Sequence, residues 1–168
     1  MRSTLKWYAV YTRPRWEKKV NRILSENGYE SYCPLNKVTR KWSDRYKVVE
    51  EPLFKSYVFV KITENERTAV RMLDGVVNFV YWQSKPAIIK EKEIIRIRKF
   101  LDEFDNVSVV EIDSVRPLQR VKIVSGPLMD YEGQVLNVRN KKVQVAIESL
   151  GYILIAFIDR KKLTSVRQ

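Results

Sequence analysis

The hydrophobic pattern changes its period partway along the chain, and that change limits the possible folds more than any other feature. Between Leu5 and Phe104, strand-like runs alternate with stretches whose apolar residues recur three and four positions apart. Beyond Pro117 only short strand-like runs remain. A chain of 168 residues can hold two small domains. The pattern divides it into a mixed domain (1–104), a polar connector (105–117) and an all-β domain (118–168).

In the first part LKWYAVYT (5–12) reads as a strand. Pro14 suits the first turn of a following helix and Gly28 its end. On that helix Trp16, Val20, Ile23 and Leu24 form a packing stripe. Arg15, Lys18, Lys19 and Arg22 recur at i, i+3, i+4, i+7 as a basic ridge. NKVTRKWSDRYKVVEEP (36–52) reads as an exposed hairpin turning at Ser43 and Asp44, with five basic residues between Lys37 and Lys47. A second strand covers 53–62. Thr63 and Glu66 have capping-box spacing before a helix over ERTAVRML that Gly75 stops. VVNFVYW (76–82) reads as a strand, and Ile94, Ile97, Leu101 and Phe104 mark a third helix. Strand, helix, strands, helix, strand, helix is the order of an α+β chain, here a ferredoxin-like α/β sandwich with a largely antiparallel sheet.

After the connector, RVKIV, GQVLNV, KKVQVAI and YILIAFI are separated by the turn signals SGPLMDYEG, RNKK and ESLG. Short strands at such close spacing predict a small antiparallel barrel. Branched residues, together with Gly126, Pro127, Gly133 and Gly151, disfavour a helical alternative.

The stretch LFKSYVFVKI (53–62) poses the functional question. Strict alternation puts Phe54, Val58, Val60 and Ile62 on one face and Lys55, Tyr57, Phe59 and Lys61 on the other. The second face is either covered by the third helix or open to a partner. If open, two aromatics between two lysines suit base stacking, as in an RNA-binding sheet, or docking onto a protein. The RNA-binding pattern is met at Lys55, Tyr57, Phe59 and Val60 and missed at Ser56, Val58 and Ile62.

The formal charge is +12, and residues 1–50 hold twelve basic against five acidic side chains. So concentrated a surplus points to a polyanionic partner. Cys33 is the single cysteine and there is no histidine, so neither an internal disulfide nor the usual zinc ligand sets are available. Cys33 itself reads as a small buried apolar residue. No run approaches the length of a membrane span, and MRSTLK does not lead into a secretory core, so a cytoplasmic protein without membrane contact is expected. With no histidine and no GxxxxGK[ST], GxGxxG or GxSxG motif, neither an enzyme nor a cofactor or metal site is expected.

WYAVYTRPRWEKKV (7–20), YCP (32–34), EPLFKSYVFVKI (51–62), DGVVNFVYW (74–82) and KPAII (85–89) resemble, in order, the N-terminal domain of the NusG family of transcription elongation factors. RVKIVSGPLMDYEGQV (120–135) resembles the KOW motif of its SH3-like C-terminal barrel. The resemblance implies docking on the clamp helices of RNA polymerase through Tyr11, Phe54, Tyr57, Phe59 and Phe79, with Tyr81 and Trp82 at the margin. It also implies that Arg13, Arg15, Lys18, Lys19 and Arg22 face the non-template single-stranded DNA. Leu150 and Gly151 of the KOW domain would contact a small-subunit ribosomal protein or Rho. Lys55 and Ser56 stand where general members have Pro-Gly. The short hairpin and basic first helix look more like the specialised paralogues, RfaH and the capsule-locus antiterminators. A monomer is expected, since the apolar rows are all assigned.

Overall fold

The computed structural model describes residues 4–111, 119–123, 132–137, 142–147, 152–157 and 163–165. The elements up to residue 103 are β1 (Lys6–Thr12), α1 (Glu17–Glu26), β2 (Glu30–Tyr32), β3 (Leu35–Trp42), β4 (Arg45–Pro52), β5 (Tyr57–Ile62), α2 (Arg67–Arg71), β6 (Val76–Phe79), β7 (Tyr81–Trp82), β8 (Lys85–Pro86), β9 (Ile88–Ile89) and α3 (Glu91–Glu103). They are followed by β10 (Ser108–Glu111), β11 (Gln119–Ile123), β12 (Glu132–Asn137), β13 (Lys142–Ile147), β14 (Tyr152–Phe157) and β15 (Leu163–Ser165). The chain divides into two compact units, Met1–Leu35 with Pro52–Ile94, and Asn36–Glu51 with Ile95–Gln168. The division therefore differs from a single cut near residue 104.

In the first unit the sheet runs β2-β5-β1-β6, with β9 also on β1, and the pairings are antiparallel. Tyr8 lies opposite Val60, and Val10 lies opposite both Val58 and Phe79. These residues and Ile62 form one face of the sheet, on which Val20 and Leu24 of α1 and Val70 of α2 close a core. Each such fully buried branched side chain contributes ~1.5–3 kcal/mol by leaving water.

Local sequence sets the helix ends. Pro14 does not enter α1: the Trp16 N–H donates to the Arg13 carbonyl at 3.0 Å and Arg15 has φ 68°. Proline second and a left-handed residue third is the pattern of a type II turn, so α1 begins only at Glu17. At its other end the Tyr29 N–H reaches the Leu24 carbonyl and the Gly28 N–H reaches that of Ser25, with Gly28 at φ 83°. This is a Schellman termination, which favours glycine at the left-handed position. The Thr63–Glu66 box forms, with the Thr63 N–H donating to the Glu66 carboxylate at 3.0 Å. It opens a 3-10 turn over Glu64–Glu66 that leads into a short α2.

Cys33 belongs to this core. Burial, reinforced by the Glu17 carboxylate, pushes its thiol up from 9.0 to about 11. Thiolate is the nucleophile, so at pH 8 the folded protein is expected to react with iodoacetamide ~100-fold more slowly than the denatured chain. Comparable rates in the two states would show that the pocket opens readily. The fold holds the neutral thiol, so this contribution is intact below about 9 and lost as pH rises toward about 11.

In the second unit β3 and β4 form a separate two-stranded ribbon turning at Ser43, which has φ 48°. Its tip is exposed: Trp42 is 65% and Tyr46 75% accessible. At its base the buried Asn36 side chain both donates to the Val107 carbonyl (2.8 Å) and accepts from the Val107 N–H (3.0 Å). That reciprocal pair assigns the ribbon to this unit. Within the expected connector, Ser108–Glu111 is a strand paired with β14. The six strands run β10-β14-β13-β12-β11-β15 with antiparallel pairings, so the segments read as strands do form strands. Among the described residues no helix is long and apolar enough to cross a membrane.

Candidate docking face and basic patch

The second face of the first unit's sheet is closed at one end and open at the other. At the closed end Trp7 lies opposite Lys61. The Trp7 indole N–H donates to the Glu91 carboxylate, and the Lys61 ammonium approaches it to 3.5 Å. In the middle Ala9 lies opposite Phe59, and both are 0% exposed. Phe54 meets Phe59 edge-on at 5.8 Å, and Tyr32 of β2, opposite Phe59, stacks on it at 6.5 Å. At the open end Tyr11 lies opposite Tyr57 with ring centroids 4.9 Å apart, and Tyr11 is 37% exposed. The two expectations for this face, covered or open, thus hold at opposite ends.

The bend before β5 creates this arrangement. Ser56 has φ 65°, a left-handed conformation that breaks the alternation counted from residue 53. Phe54 therefore joins Phe59 rather than Val58, a correction to the row read from the sequence. The bend is tied on both sides: the Thr12 N–H donates to the Ser56 carbonyl, and the Ser56 N–H donates to the Glu17 carboxylate, each at 2.9 Å. The β1–β6 register also shifts between Tyr11 and Thr12, beside Asn78, which lies opposite Tyr11. Such irregularities re-aim side chains at a strand end.

The remaining residues expected at a docking face separate. Phe79 is 3% exposed and meets Tyr8 edge-on in the helix-covered core, on the opposite side of the sheet from Tyr57. Its position in the chain suggested the docking side; its register with Val10 puts it on the other. Tyr81 and Trp82, 49% and 53% exposed, sit on the small β7–β8 hairpin, whose tip residues Gln83 and Ser84 both have positive φ. Phe59 is corrected from a contact to the floor of the face. It cannot stack bases without leaving the core, which removes half of the RNA-binding reading.

The basic ridge is organised around an aromatic ring. Trp16 packs against the core, and the Lys19 ammonium lies 4.0 Å and the Arg13 guanidinium 5.3 Å from its ring centroid. A cation over an indole face gains from the ring quadrupole. Lys18, Lys19 and Arg22 project from the exposed side of α1. Arg22 pairs weakly with Glu26 at 3.7 Å, both side chains being exposed. Arg15 is exposed but lies in the turn ahead of the helix, so it does not continue the ridge as its spacing implied. Leu150 and Gly151 lie outside the described residues.

Three participants escaped sequence reasoning. Tyr32 flanks Phe59 through strand pairing, Asn78 adjoins Tyr11, and the buried Glu17 ties down the bend. Only Glu17 carried a signal, as an acidic residue at the apolar side of a basic helix.

A helix-backed antiparallel sheet, half open along a tyrosine face and flanked by a cation-bearing helix, defines an α/β module with an aromatic face and a basic patch. A family model described as "Transcription termination factor nusG" matches residues 5–98. The chain belongs to the NusG family, whose members are transcription factors rather than enzymes. The transcription termination/antitermination protein NusG of Pseudomonas aeruginosa is 28% identical over 161 residues, covering 87% of this chain and 90% of that protein. That of Lactococcus lactis is 27% identical over 177 residues, covering 96% and 93%. A solved structure described as "Domain interaction in Thermotoga maritima NusG" shares the fold, with TM-score 0.59 and 22% identity over 98% of both chains.

Proposed function

We propose that this protein is a transcription elongation and antitermination regulator that docks on the clamp helices of RNA polymerase through its tyrosine face. The observation that carries the reading is the half-open face itself: exposed Tyr11 beside Tyr57 over a buried aromatic floor of Phe54 and Phe59. Aromatics over a packed base, ringed by polar groups, are what interface hot spots are made of. Arg13, Arg15, Lys18, Lys19 and Arg22 meet the displaced non-template DNA strand. A partner that binds only the closed clamp stabilises it by its differential affinity, which favours processive transcription. The second unit's strands supply the SH3-like KOW barrel, with a ribosomal protein or Rho as its partner. The basic helix and short hairpin support a reading as one of the specialised paralogues, acting as a monomer in the cytoplasm.

Binding to a purified clamp-helix fragment tests this. Tyr11→Ala with Tyr57→Ala is expected to weaken binding by ~10–100-fold while the fold persists, because both rings sit at the open end of the face. Failure of the wild type to bind, with single-stranded RNA captured through Tyr57 instead, would overturn the docking reading. For the basic patch, replacing Lys18, Lys19 and Arg22 by alanine is expected to weaken single-stranded DNA binding and to reduce its log–log salt slope by ~2, about 0.7 per phosphate contact. An unchanged slope would place the DNA elsewhere.

A further inference from the structure

Glu17 is 6% exposed, yet it stands among Arg15, Lys18 and Lys19, and its carboxylate turns inward rather than toward them. There it accepts from the Ser56 N–H at 2.9 Å, while the Ser56 carbonyl accepts from the Thr12 N–H at the same distance. Both bonds hold a residue whose left-handed backbone a serine adopts only at a cost. Ser56 immediately precedes Tyr57, and Thr12 immediately follows Tyr11. The clamp therefore ends on the two residues next to the pair of rings at the open end of the face.

We propose that Glu17 is a positioning residue for the docking face: by fixing the Ser56 bend it sets Tyr57 against Tyr11 in the geometry the partner meets. This rests on the docking reading and adds to it a residue that touches no partner. The observed link from Glu17 toward Tyr57 runs through the Ser56 backbone, so a backbone that keeps the bend unaided should no longer need it. Glycine at residue 56 is such a backbone, because it enters the left-handed region without steric penalty.

The experiment has two readouts. One is the Tyr11–Tyr57 ring contact by NMR in the free protein; the other is affinity for the clamp-helix fragment. Glu17→Ala is expected to loosen the ring contact and lower affinity about tenfold, the loss of one charge-assisted hydrogen bond. Single-stranded DNA affinity should not fall, since a negative charge has been removed. Glu17→Gln, which keeps an acceptor oxygen, should retain most of the affinity, and adding Ser56→Gly to Glu17→Ala should restore both readouts. Should Glu17→Ala fail to fold, Glu17→Asp, one methylene too short to span to Ser56, takes its place. Unaltered ring contacts in the Glu17 variant, or no rescue by Ser56→Gly in a folded double variant, would overturn the proposal. If the wild type does not bind the fragment, the docking reading falls, and the NMR arm still decides what Glu17 does.

Discussion

Replacing Phe59 by alanine is expected to cost the fold about 3–5 kcal/mol, the range for truncating a fully buried aromatic. The ring is 0% exposed, contacts Phe54 edge-on and Tyr32 in a stack, and lies opposite Ala9, which is too small to fill the space left behind. Denaturant unfolding measures the loss. A midpoint shift worth less than about 1 kcal/mol would show that the site collapses around the smaller residue or that the ring is not buried in solution. The prediction also separates two roles that the sequence merged. Tyr57→Ala, at the open end, should cost far less stability and still weaken binding to the clamp-helix fragment, whereas Phe59→Ala should lower that binding only through loss of the native state.

Gly75→Ala is expected to destabilise by roughly 2–4 kcal/mol, combining left-handed strain with overpacking. Gly75 has φ 85°, and an added Cβ would lie 2.5 Å from Trp16 Cε3 and 2.8 Å from Val20 Cγ2. Both neighbours belong to or pack on the helix-covered core, so neither can swing into solvent without opening it. The Gly75 carbonyl also accepts from the Arg13 N–H at 3.0 Å. Displacing Trp16 therefore disturbs the ring under Lys19 together with the backbone that carries Arg13. Thermal unfolding should register the strain, and single-stranded DNA titration should show severalfold weaker binding. An unchanged melting temperature would mean that the Trp16 ring has room to move.

How much of this was legible beforehand depended on whether the cause lay nearby in the chain. The Thr63–Glu66 box, the glycine end of α1 and the ribbon turning at Ser43 are set by residues within a few positions of one another, and sequence spacing found them. The core row of Val58, Val60 and Ile62 followed from simple alternation. Alternation failed at Phe54, because one left-handed residue, Ser56, resets the faces on either side of it. Phe79 failed for a different reason: its face is fixed by pairing with Val10, 69 positions earlier, which periodicity does not encode. The third helix's burial was legible at Ile94 and Ile97, whereas its first-turn hold on Trp7 and Lys61 through Glu91 was not.

The Asn36–Val107 exchange bears on the order in which the molecule is built. Asn36 leaves the ribosome 71 residues ahead of the backbone groups that satisfy its amide. Until residue 107 emerges, the Asn36 amide lacks that pair of backbone partners, while the sheet made by β1, β5 and β6 is already complete in sequence. Synthesis thus favours a first unit whose strands can pair early, with residues 36–51 held afterwards by chain that arrives late. A fragment ending at residue 104 would lack the backbone groups of Val107 that the Asn36 amide pairs with.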